Sequence, residues 1–163
     1  MSNYNILVPI EYSNISIKAI EEALLLANQH GGTLFLFRVG DRKNLGKFGR
    51  RNTLSKALDA ALDEMDKMLR KAIINVSQKH AINLDTIGLI HKRVASGLAT
   101  NEILKMASNI AAKSIVIGLE TSLDEDYEKG KSGFHSDFLG SLMTKAPCNM
   151  TMVRTYDETF VVV

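Results

Sequence analysis

Late in the chain, Gly118, then Gly130, nine residues, then Gly140-Ser141 have the residue types and spacing to hold an anion. Glycine lets backbone close on a phosphate oxygen, and amides at a helix N-terminus together with a hydroxyl can donate hydrogen bonds to it. The plain alternative is that these glycines end a strand and shape a crossover loop. Gly130-Lys131-Ser132 imitates the end of a P-loop, but the first glycine of Gly-x4-Gly-Lys-Ser falls on Glu125 and no strand directly precedes it. The other reactive groups do not assemble. His30 and His80 stand in the last turns of helical segments, where terminal carbonyls account for them. His91 lies on a strand. His135-Ser136-Asp137 sets the types of a catalytic triad side by side, an order that neighbours in sequence rarely turn into triad geometry. Cys148 reads as a small, buried apolar residue beside the last strand. Met65, Met68, Met106, Met143, Met150 and Met152 read as core or interface filler. With no paired carboxylates and no metal-ligand spacing, no catalytic residue and no metal ligand are assigned.

The elements that must carry the glycines follow from the apolar period. Ile6–Ile10 is a short continuous apolar run, as in a strand covered on both faces. Thr33–Val39 is aromatic and β-favouring, Ser114–Gly118 ends in glycine, Met150–Val153 follows Pro147, and a third strand is expected around Thr86–His91. Ser13 or Asn14 can cap a helix in which Ile17, Ile20, Leu24 and Ala27 recur, ended by Gly31. Thr53–His80 carries a long helical stripe through Leu54, Leu58, Leu62, Met65 and Leu69, and Leu98–Asn109 and Asp137–Lys145 complete the set. Five strands joined by helical crossovers make an α/β fold, a doubly wound open parallel sheet with helices on both faces. A chain of 163 residues is the size of one domain, 1–163, with 155–163 as a C-terminal extension. A net charge of +2 supplies no global field for nucleic acid or anionic membrane. The single cysteine, the N-terminus without a basic and apolar leader, and the lack of an apolar run of about 20 residues point to a cytoplasmic protein without a membrane span.

Ile6-Leu7-Val8-Pro9 in the first strand, Gly118 closing the fourth, Gly130-x9-Gly140-Ser141, and Ala146-Pro147-Cys148-Asn149 before the last occur in that order between Asn5 and Arg154. Together they resemble the universal stress protein family. The resemblance implies a sheet of order 3-2-1-4-5, of the adenine nucleotide alpha hydrolase type, whose winding reverses between strands 1 and 4, where open α/β sheets bind ligands. It also implies a stress-response module that binds ATP or AMP, with Mg²⁺ as a companion, and at most slow ATP hydrolysis rather than enzyme turnover. By position, Gly130, Gly140 and Ser141 would contact phosphates, and Leu142 completes that nucleotide-binding set. Gly118 would line the approach of ribose and phosphate, Val39 would offer backbone contacts to adenine, and Pro9 with Glu11 would border base and ribose.

Two segments depart from the family pattern Gly-x2-Gly-x9-Gly-Ser/Thr. Eleven residues, 119–129, stand where two are usual, and they hold Glu120, Asp124, Glu125, Asp126 and Glu128 against Lys129. Carboxylates beside a polyphosphate oppose it unless Mg²⁺ or solvent intervenes. Glu11-Tyr12 stands where the family usually has aspartate then glycine. A second reading is therefore a universal-stress-type homodimer that has lost the nucleotide and acts through protein–protein contacts. The loop 40–52 carries Arg42, Lys43, Lys47, Arg50 and Arg51 but only Phe48 as a stacking aromatic, so it reads as solvated rather than as a nucleic-acid surface. It is expected to attract the acidic insert across the crevice mouth. The β-prone tail Thr159–Val163 needs a partner strand. The resemblance implies a homodimer through the C-terminal edge strand, with the tail adding to its own sheet or to the partner's, and an unidentified protein partner beyond it.

Overall fold

The computed structural model describes residues 4–11, 13–40, 51–119, 136–156 and 159–162. Its strands are β1 (Asn5–Pro9), β2 (Thr33–Gly40), β3 (Ile90–Ser96), β4 (Ser114–Gly118), β5 (Asn149–Tyr156) and β6 (Thr159–Val162), and its helices are α1 (Asn14–His30), α2 (Arg51–Lys79), α3 (Ala99–Asn109) and α4 (Ser136–Lys145). The strands form one sheet in the order β3-β2-β1-β4-β5-β6. The first five are parallel, with Ile6 opposite both Leu34 and Ser114. This is the expected 3-2-1-4-5 sheet. β6 is the extra strand, antiparallel to β5 with Val153 opposite Val162, so the tail adds to its own sheet.

Side chains alternate between the two faces of the sheet as strand geometry requires. Ile6, Val8, Leu34, Leu36, Val116 and Val153 pack against α1 and α2, while Leu7, Phe37, Ile115 and Ile117 pack against α3 and α4. All five residues of β4 are buried, which explains its apolar centre Ile115-Val116-Ile117. α1 starts where Ser13, rather than Asn14, accepts a hydrogen bond from the Ser16 amide, and it ends at Gly31 with φ 65°. α2 buries Met65, Met68, Ala72 and Val76, yet Leu58 is 43% exposed. Its 29 residues rise about 43 Å, against about 23 Å for a seven-residue strand, so its first turns run past the sheet.

The third strand lies later than Thr86–His91. Asn28 Oδ1 accepts from the Asn83 amide and from the Thr86 hydroxyl, and Asn83 Oδ1 accepts from the Asp85 amide, so residues 84–86 close into a 3-10 turn. Such local side-chain bonds offer the backbone an alternative to a ladder. Leu98, expected within the apolar side of α3, precedes its first residue and is 72% exposed. Gly40, expected in the loop, completes β2, and β5 runs beyond Val153 to Tyr156.

Candidate functional site

The winding reverses between β1 and β4, so the crevice lies over their carboxyl ends, with the start of α1 on one face and the first turns of α4 on the other. Pro9 ends β1 and is buried, Val39 is the last but one residue of β2, and Gly118 ends β4. The strand ends thus bring Pro9, Val39 and Gly118 to one side of the sheet. Ile10 extends the β1–β2 ladder by donating its amide to the Phe37 carbonyl at 2.9 Å, and Glu11 follows it. The Glu11 amide donates to Ser16 Oγ at 2.8 Å, and the Glu11 carbonyl accepts from the Ser13 amide at 2.9 Å. Its carboxylate accepts from Arg38 Nη1 at 2.5 Å in an ion pair between the segment after β1 and the end of β2. Sequence reasoning missed Arg38, which read only as part of a strand; its charge in an otherwise apolar row was the available signal.

Gly118 has a structural reason of its own. A Cβ there would stand 2.9 Å from both the Cγ1 and the carbonyl oxygen of Ile15, so the glycine lets the first turn of α1 lie against β4. Gly140 is different. It is exposed on α4, and an added Cβ would meet nothing within 4 Å. Ser141 beside it is exposed as well, with its side chain in reach of solvent. Leu142, placed with the ligand contacts by resemblance, is fully buried with Leu139 in the α3–α4 core, so its side chain is a core group. The helix begins at Ser136, which puts Gly140 and Ser141 in its second turn, where amides enter the i→i−4 ladder. Gly130, the acidic insert 120–129, Tyr12, His135 and loop residues 41–50 lie outside the described residues.

The remaining candidates resolve into structural contacts. His30 stacks on Tyr4 at 4.2 Å between ring centroids, and His91 stacks on Phe35 at 4.6 Å. Cys148 is half-buried, not fully buried, and burial pushes its thiol up, which favours the protonated form. It lines an open concavity of about 530 Å³ with Ala107, Lys113 and Asn149, at the amino ends of β4 and β5 and away from the crevice. Met143 is 51% exposed and fills no core. Glu22 on α1 has its carboxyl pushed up, first by burial, with His80 opposing and Glu21 adding to the rise. Among the described residues no three His, Cys, Asp or Glu side chains group to hold a metal, and no helix is long and apolar enough to cross a membrane.

The model of the universal stress protein family matches residues 3–154. Among solved structures, the chain is similar to universal stress protein UspA from Lactobacillus plantarum, with 20% identity over 93% of this chain and 98% of that one and a TM-score of 0.61. It is also similar to a universal stress protein in complex with cAMP, at 13% identity over 96% and 100% of the two chains and a TM-score of 0.59. A third likeness is to the universal stress protein from Archaeoglobus fulgidus in complex with dAMP, at 14% identity over 93% and 98% and a TM-score of 0.55. At these identities the likeness is one of fold. No curated protein sequence matches the chain.

Proposed function

The chain belongs to the universal stress protein family, and we propose that it is a stress-response module holding an adenine nucleotide, ATP or AMP, over the carboxyl ends of β1 and β4, regulatory rather than catalytic. Gly140 carries this reading. Glycine in an exposed helix interior costs about 1 kcal/mol relative to alanine, and among the described residues no packing contact requires it. Close approach of a ligand does, with the Ser141 hydroxyl beside it as a donor. The cAMP and dAMP complexes of similar proteins support the same class of ligand. In this reading Pro9, Glu11, Val39 and Gly118 border base and ribose, Gly130, Gly140 and Ser141 face phosphates, and Leu142 contributes backbone only. Mg²⁺ would accompany ATP and offset the carboxylates of 120–128. The protein acts in the cytoplasm as a homodimer through its C-terminal edge, where β6 now lies outermost.

One observation favours the second reading, a homodimer acting without nucleotide. The Gly140 and Ser141 amides fall inside α4 rather than at its free N-terminus. Mass spectrometry of natively purified protein separates the two. Adenine nucleotide released by wild type and absent from Gly140→Asp is the expected result. None in either selects the interaction dimer.

A further inference from the structure

Strand alternation puts Arg38 in the row of Leu34 and Leu36, on the face packed by α1 and α2, at the crevice end of β2. It is the charged member of an apolar row, and its side chain is 22% exposed, as is that of its partner Glu11. Charge-assisted bonds of this kind are the stronger ones, and partial burial lessens screening. The Glu11 backbone is fixed from both sides by Ser16 and Ser13, so the carboxylate is held at main chain and side chain together. Lys92, the next basic group along that face, is engaged with Asp66 on α2. We propose that Arg38 sets the phosphate tolerance of the crevice, by holding Glu11 and cancelling its charge so that the strand end accepts a nucleoside polyphosphate.

The argument rests on the nucleotide reading above and on charge. Neighbouring strands stand about 4.8 Å apart, so a ligand over β1 and β4 lies within roughly one Debye length, about 8 Å at physiological salt, of a group at the β1 end. A bare Glu11 carboxylate there repels each phosphate added to the ligand, whereas the Glu11–Arg38 pair presents no net charge. Arg38 is thus a positioning residue that acts through Glu11, and the effect of removing it scales with the charge of the ligand.

Titration calorimetry with ATP and AMP at fixed ionic strength tests this on wild type, Arg38→Gln, Arg38→Lys, Glu11→Gln and the double variant Glu11→Gln/Arg38→Gln. Arg38→Gln is expected to weaken ATP about tenfold and AMP about threefold, while Arg38→Lys, which keeps the charge, stays within about threefold of wild type. The double variant, again without net charge at the pair, is expected to bind ATP within about twofold of wild type, because the charge lost with Arg38 is matched by the charge lost with Glu11. Equal losses of ATP and AMP overturn the proposal, as does a double variant whose loss of ATP is as large as that of Arg38→Gln alone. Should circular dichroism show Arg38→Gln unfolded, Glu11→Gln alone decides: a rise in the preference for ATP over AMP supports the charge balance, and an unchanged preference overturns it. Wild type that binds neither nucleotide overturns the functional reading and this inference together, whereas nucleotide binding with ungraded losses overturns this inference alone.

Discussion

The two faces of the crevice use glycine in opposite ways. On the α1 face, Gly118 is closed in by Ile15, whose backbone leaves no space for a side chain, and the helix beside it is capped by Ser13. On the α4 face, Gly140 stands at an exposed position of the helix, where among the described residues an added Cβ would meet nothing within 4 Å, so glycine weakens the helix without a gain in packing there. Two glycines of one sequence pattern therefore answer to different demands. Packing against Ile15 requires a glycine at 118, whereas at 140 only the proposed ligand would require one.

That contrast is most severely tested at Gly118. Gly118→Ala forces a methyl group against a main-chain carbonyl that cannot swing aside, and overpacking of this kind costs about 2 kcal/mol. Urea denaturation is expected to show that loss, and an unchanged midpoint would place Gly118 with Gly140. Gly140→Ala is expected to move the other way, raising stability by about 0.5–1 kcal/mol through better helix propensity while weakening adenine nucleotide. Equal nucleotide affinity in Gly140→Ala and wild type would leave that glycine without a role. The smallest effect belongs to α1 away from the crevice. The Glu22 carboxyl, pushed up by burial, is favoured when protonated, so its contribution to stability is present below the ordinary value of 4.5 and is lost as pH rises through its raised value. Glu22→Gln is expected to raise the thermal midpoint at pH 7 and to match wild type at pH 4, and a difference of equal size at both would exclude a titration origin.

The parts of this arrangement legible in the sequence were those set by burial. β1 and β4 are buried along nearly their whole length and therefore read as short apolar runs, while the strand order that sets where the crevice opens came with the family pattern. The third strand was misplaced because Asn28, Asn83 and Thr86 bond one another across a turn, a contact between segments distant in sequence that no local period records. Leu142 entered the nucleotide-binding set with its neighbours in the pattern, and its spacing of three from Leu139 places both side chains on the buried side of α4. The packing reason for Gly118 was invisible for the same cause as the Glu11–Arg38 pair. Each joins residues from different elements, and a sequence shows the residue types without the juxtaposition.

The seam between β1 and β4 has a kinetic meaning. Along it the Asn5 side chain donates to the Ile110 carbonyl at 2.7 Å, a contact closing a separation of 105 positions, while β1 meets β2 through a single crossover helix. Contacts of such range form late, because the chain must lose loop entropy before they reward it. On this topology the β1–β2 half of the crevice is expected to assemble first and the seam to zip after it. A ligand lying across it would act as a clasp on the last join to form, slowing unfolding more than it speeds folding.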